Sequence, residues 1–260
     1  MAEVGKIVTT QGVKTVKKPD TFWRRYRAAL FQAYLVGAVL VFLVLTVLAK
    51  STAYFTFDVT ITHAVQTINL PGFGAVMFGL SWLGFNPQTS AITAAVIVFL
   101  FLVRLRWEAL VALVSVVGES ALGLAIKVIV DRPRPATDLV TVVSQLHDYS
   151  FPSGHVLYFT TFGGFLLFLV FTLAKPVWWR TGLLILLGGM VALIGLSRIF
   201  EGQHWASDAL GSYLLGSVWL SLSVLIYRWG KPKYFTQPGA SPFPAAGDTG
   251  GPAHSSSYRG

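Results

Sequence analysis

The chain has no cysteine, and only 12% of its residues are Asp, Glu, Lys or Arg, about half the ~25% of an ordinary soluble domain. The missing cysteine excludes disulfides, thiolate metal sites, cysteine nucleophiles and thiol redox chemistry together. Any catalysis must use oxygen and nitrogen groups, and the five histidines are His63, His147, His155, His204 and His254. The shortage of charge stands beside 54% hydrophobic residues and a mean hydropathy of +0.64. That combination excludes a disordered chain, argues against a soluble domain and points to an integral membrane protein.

Residues 1–27 are polar and basic and lead into an apolar run from Ala28 to Ala49, long enough for the roughly 20 residues a spanning helix needs. No small-residue cleavage site follows it, so it reads as an uncleaved anchor with a cytoplasmic amino terminus. Further apolar runs cover 88–103, 108–130, 154–174, 181–199 and 205–228. Between the first two runs, Phe57, Ile61, Val65 and Ile68 share one apolar helical face, which predicts a helix lying on the membrane. Residues 131–153 hold three prolines and no sustained period, and read as a loop outside the hydrocarbon. The predicted fold is all-α, a polytopic bundle of six transmembrane helices with an interfacial helix after the first span. Three regions follow: a basic cytoplasmic segment over 1–27, the membrane domain over 28–229, and a Pro-, Gly- and Ser-rich flexible cytoplasmic tail over 230–260.

The net charge of +9 is a topology signal. Six spans with a cytoplasmic start place fifteen of the 20 Lys and Arg residues on the cytoplasmic side, as the positive-inside rule requires, and give no reason to invoke nucleic acid. The five outer cations are Lys50, Lys127, Arg132, Arg134 and Arg198. Three of these gather with His155, His204 and Asp208 at the same predicted face, and ionisable groups at the rim of membrane helices mark function. Lys127, Arg134 and Arg198 offer the neutralisation a phosphoryl group needs. Ser153 and Gly154, just before a helix, add a hydroxyl and a backbone N–H.

His204 and Asp208 are four residues apart and share a helical face. A carboxylate on one imidazole nitrogen fixes the tautomer and leaves the other nitrogen free as a nucleophile. His155 can then protonate the departing oxygen and afterwards take a proton from the attacking water. This implies phosphoryl transfer through a phosphohistidine, with no metal or other cofactor. Glu119 reads as facing the bundle interior, where it either bonds a neighbouring helix or tunes the site, a structural polar contact being favoured over catalysis, and Arg132 reads as a headgroup contact or the partner of Asp131 or Glu201. His147 and Asp148 read as residues at the substrate rim, His63 as interfacial, and Trp178 and Trp179 as an interfacial belt.

Three signatures appear in order: KVIVDRPRP from Lys127 to Pro135, PSGH from Pro152 to His155, and SRIFEGQHWASD from Ser197 to Asp208. On these the chain resembles the type-2 phosphatidic acid phosphatase, or lipid phosphate phosphatase, superfamily over residues 28–229. The resemblance implies a six-helix membrane fold with its site at the outer surface. It implies His204 as nucleophile, Asp208 as its partner and His155 as general acid and base. Lys127, Arg134, Ser153, Gly154 and Arg198 become phosphate ligands. The expected substrate is a lipid phosphate or diphosphate in a cytoplasmic membrane: undecaprenyl diphosphate, phosphatidylglycerophosphate or phosphatidic acid. The motifs name neither the lipid nor an oligomeric state. The competing readings are a transporter, disfavoured because the charges lie at one rim and no internal repeat is evident, and a headgroup binder without turnover.

Overall fold

The computed structural model describes residues 21–234, so most of the basic amino-terminal segment and of the tail, with His254, lies outside the described residues. In order come α1 (Thr21–Ser51), α2 (Thr56–Gln66), α3 (Phe73–Leu83), α4 (Gln88–Leu102) and α5 (Arg106–Val130). After the long loop follow α6 (Gly154–Leu173, with a π turn at Phe159–Gly163), α7 (Trp178–Phe200) and α8 (Ala206–Tyr234). The first and last helices run past the boundaries at 28 and 229 read from the sequence.

Among the described residues five helices are each long and apolar enough to cross a membrane: α1, α5, α6, α7 and α8. The span predicted over 88–103 differs. Its helix α4 has 15 residues, short of the roughly 20 needed, and meets the requirement only together with α3, to which it is bent by 66°. Gly84, Phe85 and Asn86 in the break between them line the cavity described below. Counting this pair as one, the spans number up to six.

Outward-facing residues of the spans are apolar, including Leu40, Val44 and Val47 on α1 and Val117, Leu124 and Val128 on α5. Such a surface suits hydrocarbon and would be a liability in water. The innermost helix is α6, whose Val156, Phe159, Phe162 and Phe165 are buried against Ile194 of α7 and Ala209 of α8. A smaller cluster joins Phe42 of α1, Val130, Phe151 and Leu215. At the end of the bundle away from the long loop, buried Glu108 at the start of α5 bonds Lys231 and accepts from Tyr227 Oη at 3.1 Å.

The helix after the first span carries the predicted apolar stripe outward at Phe57 and Ile61, while Val65 of that stripe is buried together with Asp58 and Thr62. The polar side of this helix faces inward because it has buried partners.

Candidate active site

α5 ends at Asp131, whose φ of 56° is the left-handed conformation that Asp tolerates better than most residues, and Pro133 and Pro135 keep the chain from resuming a helix. Lys127 is left at the rim, and Arg134 folds back over it. At the same end of the bundle lie the start of α6 with His155, the end of α7 with Arg198, and the turn into α8 with His204 and Asp208. The predicted residues Lys127, Arg134, Gly154, His155, Arg198 and His204 all line one cavity of about 740 Å³, together with Asp148.

The turn carrying His204 depends on Gly202, whose φ is 63°; a Cβ there would meet Thr141 O at 2.1 Å. The loop is stitched across it by Val143 N donating to Glu201 O at 3.0 Å and Gln203 Nε2 donating to Ser144 Oγ at 3.1 Å. His204 is 1% exposed. Arg134 Nη1 lies 3.1 Å from its Nε2, and the nearest carboxylate oxygen to Nδ1 is Asp208 Oδ2 at 3.6 Å. That separation is an ion-pair contact and exceeds a hydrogen bond. Burial, then Arg134, Arg198 and Lys127, push the His204 pKa well below its ordinary value, so the imidazole is neutral.

Asp208 spends its hydrogen bonds elsewhere. Its Oδ2 accepts from Trp205 N at 2.9 Å and from Ser150 Oγ, and its Oδ1 pairs with Arg132. Arg132 is fully buried and reaches Asp58 of α2 at 3.0 Å, Ser207 Oγ at 2.7 Å and Ala53 O at 3.1 Å. Asp58 accepts from Ser207 N and Ser207 Oγ, both at 2.8 Å. Arg132 therefore joins neither Asp131 nor Glu201, and it is no headgroup contact. Glu201 belongs to Arg198, at 3.1 Å, and accepts from Ser81 Oγ at 2.9 Å.

The Arg198 guanidinium also bonds Ser81 Oγ and Gln203 Oε1 and lies 5.0 Å above the Phe85 ring, leaving Nε without a partner. Phe85, in the break between α3 and α4, also packs edge-on against His155 with ring centroids 4.6 Å apart. Gly84 makes this approach feasible, since a Cβ there would lie 2.0 Å from the His155 ring. Among the described residues, His155 Nε2 and Ser153 Oγ are buried without a hydrogen-bond partner, and Ser153 N donates to Ser212 Oγ at 2.7 Å. Buried polar atoms left open in this way, beside cations, fit a site that receives an oxyanion.

Between the cations stands Asp148. Its carboxylate accepts from Lys127 Nζ at 2.7 Å and from Arg134 Nη2 at 2.6 Å, with its side chain 57% exposed. Burial works against its charge, but the hydrogen bond and charge of Lys127 and the charge of Arg134 outweigh it and hold its pKa down to about 2. Asp148 thus offers the two cations the anionic oxygens that a phosphate would bring.

Asp58, Ser81, Phe85, Arg132, Ser150 and Gln203 take part in the cluster without belonging to its recognised positions. Arg132, Glu201 and Gln203 fall between the fixed residues of the signatures, so proximity was readable there but partners were not. His63 and His147 are exposed, and His63 Nε2 contacts Leu139 O at 2.7 Å. Glu119, 3% exposed, makes no bond to a neighbouring helix: among the described residues its one hydrogen bond is from adjacent Ser120 Oγ at 3.2 Å, and it lines the cavity.

Known proteins resemble this chain in sequence and fold. The family model of the PAP2 superfamily matches residues 108–232, which include every signature. Phosphatidylglycerophosphatase B of Bacillus subtilis is 28% identical over 185 residues, covering 70% of this chain and 88% of its own. The undecaprenyl-diphosphatase of Sulfolobus acidocaldarius is 28% identical over 207 residues, covering 76% and 94%. The crystal structure of a transmembrane PAP2 type phosphatidylglycerolphosphate phosphatase from Bacillus subtilis superposes with a TM-score of 0.65 at 26% identity, over 78% of this chain and 98% of that one. Aquifex aeolicus LpxE shares the fold, with a TM-score of 0.54 at 22% identity over 66% and 96%. Residues 108–232 thus match the PAP2 superfamily, and the chain is similar to membrane phosphatases of that family and is itself a phosphoric ester hydrolase.

Proposed function

We propose that this phosphatase hydrolyses a lipid phosphate or diphosphate through a phosphohistidine on His204, at the outer face of a cytoplasmic membrane with both termini inside. The observation that carries the reading is the convergence of Lys127, Arg134, Arg198, His155 and His204 on one cavity that continues into an apolar groove between α4, α5 and α6. A phosphate bound by the three cations presents its phosphorus to His204 Nε2, with Nδ1–H turned toward Asp208. As the N–P bond forms, the bond from phosphorus to the leaving oxygen breaks and His155 protonates that oxygen. Water then attacks the phosphohistidine, His155 takes its proton, the N–P bond breaks and phosphate departs. Ser153 and Gly154 at the start of α6 add donors to the phosphate oxygens. The relatives named for phosphatidylglycerophosphate and undecaprenyl diphosphate support a lipid substrate, and the excess of Lys and Arg on the other side of the membrane supports the sidedness.

Two outcomes check this reading. Purified protein should release phosphate from such lipids at a rate unchanged by chelators and suppressed by vanadate, which adopts the five-coordinate geometry of the transferring phosphorus. Loss of activity on chelation would overturn the metal-free mechanism. Because Asp148 competes with the substrate for Lys127 and Arg134, Asp148→Asn is expected to tighten inhibition by inorganic phosphate several-fold, the scale of a partly exposed ion pair. Weaker inhibition would mean that Asp148 positions the cations and does not compete for them.

A further inference from the structure

Beyond the cations, Ile97, Leu113, Val116, Val117 and Leu124 line the cavity, as a lipid chain requires. One carboxyl interrupts this surface. Glu119 lies on α5 eight residues before Lys127, about 12 Å of helix rise into the membrane. It is 3% exposed, and no Lys, Arg or His among the described residues pairs with it. Tyr158 Oη of α6 and Thr93 Oγ1 of α4, 2.9 Å apart, line the same cavity as Glu119.

A carboxyl group at this depth is costly without partners, and packing alone does not call for one, since leucine or methionine would fill the same volume. The cost is offset if the group acquires a partner whenever the groove is occupied. A polyprenyl chain is apolar from its first carbon and leaves Glu119 unsatisfied. A glycerolipid brings ester carbonyls and glycerol oxygens behind its phosphate. Resting on the phosphatase reading, we propose that Glu119, Tyr158 and Thr93 form a hydrogen-bonding subsite for the glycerol-ester region of the substrate, which selects glycerolipid phosphates over polyprenyl diphosphates.

The test measures kcat/KM in detergent micelles for phosphatidylglycerophosphate, its ether-linked analogue, undecaprenyl diphosphate and the tail-less p-nitrophenyl phosphate. Wild-type protein is expected to favour the ester lipid over the ether analogue by about tenfold, the scale of one good hydrogen bond. In Glu119→Leu the ratio of ester-lipid to tail-less kcat/KM should fall about tenfold, while Glu119→Gln, which keeps a donor and an acceptor, should retain most of it. Equal rates on ester and ether lipids, or a Glu119→Leu ratio equal to wild type, would overturn the subsite. The ether comparison needs no variant and so survives a folding failure of Glu119→Leu. Absence of phosphate release from every substrate by wild-type protein would instead overturn the phosphatase reading itself.

Discussion

His204→Ala is expected to lower kcat by about 10⁴-fold or more while leaving a folded membrane protein. On the proposed mechanism this removes the nucleophile and leaves only the electrostatic and positioning contributions of the site. The ring is enclosed by Arg134, Asp208 and the turn at Gly202. Its lowered pKa, caused by burial and then by Arg134, Arg198 and Lys127, has a consequence in the pH profile. A group that must be unprotonated to attack loses activity only as pH falls through its own pKa. The acid limb assigned to free His204 therefore lies below the ordinary histidine value of 6.5, and measuring kcat/KM from neutral to acid pH checks it. Full activity in His204→Ala, measured as phosphate release, would sink the catalytic reading and return the cation cluster to headgroup binding or transport.

Arg132→Met is expected to be the most destabilising of the single substitutions around the site. Arg132 is fully buried between two fully buried carboxylates, Asp58 and Asp208. Removing it leaves both without a counter-charge, and breaking a buried pair in this way costs about 3–5 kcal/mol. Thermal unfolding in detergent should shift down by about 10 °C. Activity should fall too, because Arg132 holds the Asp208 carboxylate that faces His204. A double variant, Arg132→Met with Asp58→Leu, should recover part of the stability, since replacing a buried pair by apolar residues is often near neutral. It should not recover activity, because Asp208 stays unpaired. A single-variant shift no larger than that of a surface arginine would contradict the assignment of Arg132 as a positioning residue.

What could be read in the sequence follows from which interactions are local. The spans at 108–130, 154–174 and 181–199 are continuous apolar runs, and their observed ends differ by a few residues. The signature residues sit at helix ends, so an alternating topology brings Lys127, His155, Arg198 and His204 to one end of the bundle. Pairings between distant segments left no local trace. α2 shows an apolar stripe at Phe57 and Ile61, and only the arrival of Arg132 and Ser207 explains why Asp58 is the buried residue. The same holds for Phe85. Nothing around position 85 distinguishes a lipid-facing phenylalanine from one that carries both His155 and Arg198, because that role arises from the 66° bend between α3 and α4. Asp148 lay in a loop already read as the substrate rim, but its seat between Lys127 and Arg134 required the fold.

The central claim, a phosphoryl group carried on His204, is tested most directly by trapping it. Purified enzyme quenched in alkali during turnover of a lipid phosphate radiolabelled at phosphorus should carry label that is stable to alkali and lost in acid. Proteolysis should place that label in the peptide containing His204. Wild-type protein that turns over rapidly with no bound label, or with label on a residue other than His204, would contradict the account.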